Sequence, residues 1–235
     1  MPTPIPRSRM RRCYDNRMNS AIALTSARMT AGVCPGVGGA LVWFGLRDSA
    51  IDFVRPTPMC AVAENNARMA SSYPLVPYSN RIGDGRFAFD GATIALRRNA
   101  DISEHPIHGL GFIRAWTVVD STPSRLEIAF EHDGANGTDG TDPDWPWSFR
   151  ATQVFAIDDA GLSVRIEVTN RDRRPMPAGI GLHPFFPKTP STEVRFAADA
   201  VWLSDKRMLP ASRIDVPPRF DFAQRRAVAD LDVDN

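Results

Sequence analysis

The chain has 235 residues, of which 43% are hydrophobic and 23% charged, and its formal net charge is +1. Such a chain buries a sizeable core, as one large β domain or two small ones. The small net charge gives no electrostatic basis for a nucleic-acid or membrane-surface partner. No apolar run approaches the ~20 residues that span a bilayer. The three cysteines form neither an even set nor a CxxC pair, which fits a reducing compartment, so we expect a cytoplasmic protein.

The N-terminal segment is basic, with five arginines between Arg7 and Arg17. The apolar stretch that follows, residues 21–24, is too short for a signal-peptide core and is soon interrupted by Arg28. We therefore predict a disordered basic tail over residues 1–19 and a single domain over residues 20–235. Translation starting at Met18 is the alternative.

A glycine cluster at residues 36–40, GVGGA, is similar to the start of a dinucleotide-binding fingerprint. Leu41 occupies the place of the final small residue, and the run after it is typical of a strand where that fingerprint needs a helix. The cluster therefore predicts a turn or bulge that leads into a strand. Further along, residues 64–70 are predicted to form one short helix.

From there on the periodicity is that of strands. Residues 86–90 and 92–96 flank Asp90-Gly91, a dipeptide that favours tight hairpin turns. Twenty prolines and sixteen glycines leave little room for long helices. The pattern predicts an all-β fold of antiparallel strands with long loops, a sandwich. Its later strands are predicted over residues 113–119, 125–130, 149–157 and 162–168.

Histidine spacing raises the question of a metal site. His105 and His108 are three residues apart, and His183 is a possible third ligand. An extended segment, however, places residues of that spacing on opposite faces, and no carboxylate follows His108 closely. A metal-dependent enzyme is kept as a minor alternative. His132, beside the acidic and glycine-rich loop of residues 133–144, is predicted to be an ordinary surface residue.

Two histidines instead occupy turns shaped by glycine and proline. His183 lies in residues 177–187, PAGIGLHPFFP, and His108 in residues 105–111, HPIHGLG. Upstream, residues 74–87, PLVPYSNRIGDGRF, contain Asn80 and Arg81. Arg offers a fixed fork of donors and Asn both a donor and an acceptor, which suits several vicinal hydroxyls. Imidazoles transfer protons near neutrality, so the set favours proton transfer on a polar, uncharged ligand.

These three motifs, in this order and at these separations, resemble the aldose 1-epimerase (galactose mutarotase) family. The resemblance covers residues 35–235. It implies an antiparallel β-supersandwich, an enzyme without cofactor or metal, and interconversion of the α and β anomers of a free hexose. A sugar is thus the implied small-molecule partner.

The resemblance also implies residue roles. His183 would be the acid that protonates the ring oxygen, and His108 would bond the same oxygen or an adjacent hydroxyl. Arg81 and Asn80 match the substrate-binding pair of the family, and Asp234 matches an aspartate that grips sugar hydroxyls. Three aromatic residues are candidates either for packing against sugar C–H faces or for the core: Trp147, Phe185 and Phe186.

One departure from the family bears on activity. The general base of the family is a glutamate in a C-terminal segment, and none of the six glutamates here has a matching context. We therefore expect a truncated aldose 1-epimerase that lacks C-terminal strands, and the absent base leaves open whether this chain is active or inactive. A non-catalytic carbohydrate-binding protein on the same fold is the main alternative. A phosphorylated sugar is a further variant, because three arginines flank the His105–His108 loop: Arg97, Arg98 and Arg114.

Overall fold

The computed structural model describes residues 21–135 and 141–228. The chain divides between Phe186 and Pro187 into two compact units, each of which is described by itself. The single domain expected over residues 20–235 stays a prediction. The basic tail predicted over residues 1–19 and the candidate Asp234 lie outside the described residues.

Almost all regular structure in the described residues is β, in agreement with the predicted fold class. In chain order, the first unit contains β1 (Ile22–Thr25), β2 (Met29–Cys34), β3 (Ala40–Leu46), β4 (Pro74–Leu75), β5 (Arg86–Phe89), β6 (Ala92–Ala95), β7 (Thr117–Ser121), β8 (Arg125–His132), β9 (Phe149–Ile157), β10 (Leu162–Asn170) and β11 (Gly181–Leu182). The second unit contains β12 (Glu193–Val194), β13 (Val201–Ser204), β14 (Pro210–Ile214) and β15 (Arg226–Ala227).

Two large antiparallel sheets form the body of the first unit, beside the two-stranded pairs β4–β11 and β5–β6. One has the order β1-β2-β3 and the other the order β10-β9-β8-β7. Their facing side chains share one core, to which the first sheet contributes Leu24 and Val33 and the second Ile128, Phe149 and Phe155. Burial of such side chains stabilises the fold by about 1.5–3 kcal/mol each. The two layers are therefore the sandwich that the alternating sequence predicts.

Strand β9 shows how the sequence dictates this packing. Every second residue from Phe149 to Ile157 is buried, as a strand with one face on the core requires. Gln153 occupies one of these core positions, and its amide donates a hydrogen bond to the Gly39 carbonyl over 3.1 Å. Gly39 belongs to the glycine cluster, which forms a turn before β3, as predicted.

Other local predictions have mixed outcomes. The hairpin of β5 and β6 is confirmed, with Asp90 and Gly91 both at positive φ (49° and 75°). The helix predicted over residues 64–70 is wrong. Helix α1 (Met59–Ala63) starts after Pro58 and ends before Asn65, whose φ of 52° interrupts the helical path, and a 3-10 turn follows at Ala67–Met69.

Two further corrections concern the strands β7 and β8 of the second sheet. The strand predicted over residues 113–119 begins later, at Thr117, because a turn over residues 110–113 precedes it. The prediction that His132 is an ordinary surface residue is also wrong. Its ring packs at 5.3 Å from Phe149, and its Nε2 lies 2.7 Å from the Trp145 carbonyl oxygen.

The second unit is small. Its β13–β14 hairpin and its β12–β15 pair are both antiparallel. Phe196 and Phe222 stack at 5.0 Å, and the Arg226 guanidinium donates to the Pro218 and Asp221 carbonyls. Within the described residues, no helix is long and apolar enough to cross a membrane.

Candidate active site

The segment of residues 71–77 lies at the centre of the candidate site. On one side, its strand β4 pairs with β11, and further backbone hydrogen bonds extend this pairing beyond the two short strands. The N–H of His183 donates to the Tyr73 carbonyl, and the N–H of Phe185 donates to the Ser71 carbonyl, each over 2.9 Å. The antiparallel register therefore sets His183 directly opposite Tyr73.

On its other side the same segment carries the loop of His108. The Val76 carbonyl accepts hydrogen bonds from the N–H groups of Leu110 (2.6 Å) and Gly111 (3.0 Å). Gly109 has a φ of 70°, and a Cβ on it would collide with the Val76 carbonyl. Only glycine meets both conditions, so the first glycine of HPIHGLG, Gly109, is explained by close backbone approach.

The loops that contain Asn80 and His108 are joined by two hydrogen bonds. The His108 N–H donates to the Asn80 carbonyl over 2.9 Å, and the Asn80 N–H donates to Nδ1 of His108 over 3.1 Å. Both residues have left-handed φ values, 57° and 61°. The Asn99 side chain ties the loop further, donating to the carbonyls of Ile107 and Gly109 at 2.8 and 2.7 Å. His108 is thus fixed by both its backbone and its ring.

The two motif histidines meet across the central segment. Their ring centroids are 5.5 Å apart, and the planes are inclined by 73°. His183 contacts two aromatic rings, with Tyr73 stacked on it at 4.7 Å and 14° and Phe185 tilted beside it at 4.7 Å and 34°, and these two rings lie 6.2 Å from each other. This packing limits the rotation of the imidazole and leaves the edge of the ring to interact with a ligand.

Burial keeps both imidazoles uncharged near neutral pH. Burial first, then the neighbouring His183 and Arg81, lowers the pKa of His108 to about 4. Burial also lowers the pKa of His183; a hydrogen bond with its own backbone opposes this, and Arg55 adds to it. Because Nδ1 of His108 accepts the Asn80 N–H, the proton of the uncharged ring resides on Nε2. His108 is therefore a neutral donor.

Arg81 and Asn80 differ in what their side chains do. Arg81 forms a β-bridge with Ile107, and within the described residues its guanidinium makes no hydrogen bond or ion pair. The Asn80 side chain accepts the Arg81 N–H over 2.9 Å, so one of its polar atoms serves the loop itself. The structure thus brings together four of the predicted site residues, namely Asn80, Arg81, His108 and His183.

The three aromatic candidates for sugar contact differ in their burial and their neighbours. Trp147 is only 3% exposed and packs on Trp145 in the core. Phe185 lies beside His183, whereas Phe186 is 67% exposed. Sequence reasoning missed Tyr73, although it directly precedes the first motif and alternates with Leu75 along the paired segment.

The arginines proposed for a sugar phosphate are engaged elsewhere. Arg97 and Arg114 each bind the carboxylate of Asp144 over 2.8 Å, and that carboxylate is 6% exposed. Arg98 pairs with Asp101 over 3.2 Å. The two pairs with Asp144 hold the acidic loop onto the fold, and all three arginines are paired, so the structure offers no support for the phosphate variant.

The metal alternative also finds no support in the geometry. His105 is 2% exposed, and its Nδ1 accepts the Asp84 N–H over 3.2 Å. In residues 21–135 and 141–228, no three His, Cys, Asp or Glu side chains are grouped so that they could hold a metal ion.

Comparison with known proteins identifies the family to which this fold belongs. A sequence model described as aldose 1-epimerase matches residues 20–235. The Escherichia coli K12 protein YphB is 30% identical over 188 residues, which are 80% of this chain and 59% of that protein. The chain therefore spans less than two thirds of the length of this relative.

Solved structures from this family have a similar fold. A crystal structure from Escherichia coli K12 superposes with a TM-score of 0.76 at 27% identity, covering 88% of this chain and 66% of that one. The GalM/aldose epimerase homologue from C. elegans gives 0.73 at 20% identity, covering 88% and 65%. The fold is galactose mutarotase-like. The chain belongs to the aldose 1-epimerase family.

The close approach at Gly109 predicts a large effect of one methyl group. Gly109→Ala should lower the free energy of unfolding by about 1–3 kcal/mol beyond the effect of Gly91→Ala. Gly91 is the matched control, because its φ is also positive (75°) but nothing lies within 4 Å of a Cβ there. Denaturant unfolding measures both variants. Equal losses would mean that the contact with Val76 does not matter.

The lowered pKa of His108 predicts a pH dependence of stability. The unfolded chain protonates this ring near pH 6.5 and the folded chain near pH 4, so the free energy of unfolding falls as pH decreases between these values. His108→Asn retains an acceptor for the Asn80 N–H and tolerates positive φ, but does not titrate. We expect a smaller loss of stability in this variant, and an identical pH profile would contradict the assignment.

Proposed function

We propose that this chain binds a free hexose at Arg81, Asn80, His108 and His183 and acts as an aldose 1-epimerase that interconverts its α and β anomers. One observation carries the proposal: the two motif imidazoles lie with centroids 5.5 Å apart, beside a guanidinium that makes no hydrogen bond or ion pair within the described residues. Uncharged imidazoles suit an uncharged polyol, because neither side must lose the hydration of a net charge.

The chemistry requires one acid and one base. A base removes the proton of the anomeric hydroxyl while an acid protonates the ring oxygen, and the C1–O bond to the ring opens to an aldehyde. Rotation about the adjacent C–C bond and reclosure give the other anomer and return both protons. We assign the acid to the minor protonated fraction of His183, because burial lowers its pKa and leaves most of this imidazole uncharged near neutral pH. His108 would donate its Nε2 proton in a hydrogen bond to the ring oxygen or a neighbouring hydroxyl.

The base is not assigned to any described residue. Three of the six glutamates lie on the second sheet and pair with arginines, and Glu193 lies near Arg225. Within the described residues, no glutamate forms a hydrogen bond or ion pair with His108 or His183. Asp234, which lies outside those residues, remains a proposed ligand of sugar hydroxyls.

The lack of an assigned base among the described residues favours one alternative function. A site with two uncharged imidazoles and a guanidinium, but without a carboxylate among the described residues, also suits a sugar-binding protein that does not turn its ligand over. We further propose a cytoplasmic location, on the cysteine content alone.

His183 gives the first test of the catalytic proposal. His183→Gln keeps a polar side chain but cannot cycle a proton, so the rate of hexose anomerisation should fall by about 10²–10⁴-fold. Polarimetry of freshly dissolved α-D-glucose and α-D-galactose measures the rate. His132→Gln is the matched control, since His132 contacts Trp145 and Phe149 rather than this site. Near-normal turnover in His183→Gln would remove the proton-transfer role.

Arg81 gives a test that holds for both functions. Arg81→Ala removes the guanidinium, so the dissociation constant of the hexose should rise by about tenfold or more. Calorimetric titration with the hexose measures this change. Arg47→Ala serves as the control, since Arg47 follows the last residue of β3 and pairs with Asp48. Unchanged affinity would show that the sugar binds elsewhere.

A further inference from the structure

Four side chains, including the candidate acid, form a continuous series of ring and cation contacts. The Arg55 guanidinium carbon lies 3.8 Å from the centroid of the Phe185 ring. Phe185 in turn lies 4.7 Å from His183, and His183 lies 4.7 Å from Tyr73. A cation over the face of an aromatic ring is attracted by the negative potential of that face.

Arg55 is itself fixed in place. Its guanidinium donates to the carbonyls of Ala70 (3.0 Å) and Arg68 (3.5 Å). Its backbone N–H donates to the Phe185 carbonyl over 2.8 Å, and its own carbonyl accepts the Ser71 hydroxyl over 2.7 Å. The residue therefore connects the chain just before Tyr73 with the chain just after His183.

We propose that Arg55 is a positioning residue for His183, holding Phe185 in place so that the imidazole is clamped against Tyr73 with its edge toward His108. The inference rests on the proposed function, because it assigns these contacts to the acid of that reaction. Arg55 lies outside all three sequence motifs and touches neither His108 nor Arg81 through any described contact.

The charges around His183 agree with this role. Its described titratable neighbours are Tyr73, His108 and Arg55. Burial raises the pKa of the Tyr73 phenol, with Arg68 and Arg55 opposing it, and His108 is uncharged near neutral pH. Of the two arginines, Arg55 is the one that also lowers the pKa of His183. A fixed cation disfavours the protonated imidazole and so makes His183 a stronger acid once it is protonated.

Two substitutions separate the charge of Arg55 from its shape. Arg55→Met keeps an unbranched chain over the Phe185 ring but removes the charge and the fork of donors. Arg55→Lys keeps the charge and loses the planar fork. Arg47→Met is the control, since the Arg47 side chain is half exposed and pairs with Asp48. The readouts are the pKa of His183 by NMR titration of its imidazole, and kcat and KM for hexose anomerisation by polarimetry.

We expect Arg55→Met to raise the pKa of His183 and to lower kcat by about tenfold with KM changed less than about threefold, because orientation rather than binding is lost. The alkaline limb of the kcat profile should move to higher pH, since the acid holds its proton longer. Arg55→Lys should restore the pKa of His183 but only part of kcat. Arg47→Met should leave the pKa of His183, kcat, KM and the pH profile of kcat unchanged.

The inference fails if Arg55→Met, folded by its near-ultraviolet circular dichroism, leaves the pKa of His183 and kcat as they are. It also fails if Arg55→Lys behaves as Arg55→Met does, because the cation would then have no role of its own. The NMR titration needs no turnover. If no variant and not even the parent chain accelerates anomerisation, the proposed function fails while the titration still decides the role of Arg55.

Discussion

The site depends on the antiparallel pairing of residues 71–77 with the segment around β11. Hydrogen bonds at every second residue along this pairing fix His183 opposite Tyr73 and Phe185 opposite Ser71. A slip of one residue would turn the His183 side chain to the other face, since side chains alternate along a strand. The backbone, more than any side-chain contact, therefore determines where the candidate acid lies.

Residues 71–77 also fix the imidazole of His108, here through hydrogen bonds to the His108 loop. The Val76 carbonyl accepts two N–H groups of the His108 loop, and Asn80 bonds both the backbone and the ring of His108. Left-handed φ values at Asn80 and His108 are tolerable because these contacts over-determine the loop. One consequence is chemical: the bond from the Asn80 N–H selects the tautomer that presents Nε2–H as a donor. The preorganised donor and the clamped acid face each other before any ligand arrives.

The sequence predicts the second sheet closely and the irregular regions less well. Alternation of apolar and polar residues in β9 and β10 is a direct consequence of one buried face, so both strands are recoverable from sequence. The helix over residues 64–70 is not, because Pro58 and the positive φ of Asn65 shift the helical turn toward the N-terminus. His132 is misjudged because its burial depends on Trp145 and Phe149, which contact it only through the folded sheet.

Within the site, the residues that lie in the three motifs can be predicted from the sequence, and those outside the motifs cannot. His108, His183, Asn80 and Arg81 lie in Gly- and Pro-rich segments whose unusual composition draws attention. Arg55 lies about 130 residues before its partner Phe185, in a stretch without any motif, and only the pairing of the chain brings the two together. Long-range pairing of this kind is a property of the register of the strands, which composition does not encode.

The most direct test of the account is a long-range ¹H–¹⁵N NMR spectrum of the imidazoles at neutral pH, recorded with and without hexose. The account predicts that His108 is uncharged with its proton on Nε2, and that the resonances of His108 and His183 shift on addition of the sugar while those of His132 do not. A proton on Nδ1 of His108, or a sugar that leaves both site histidines unchanged, would contradict it.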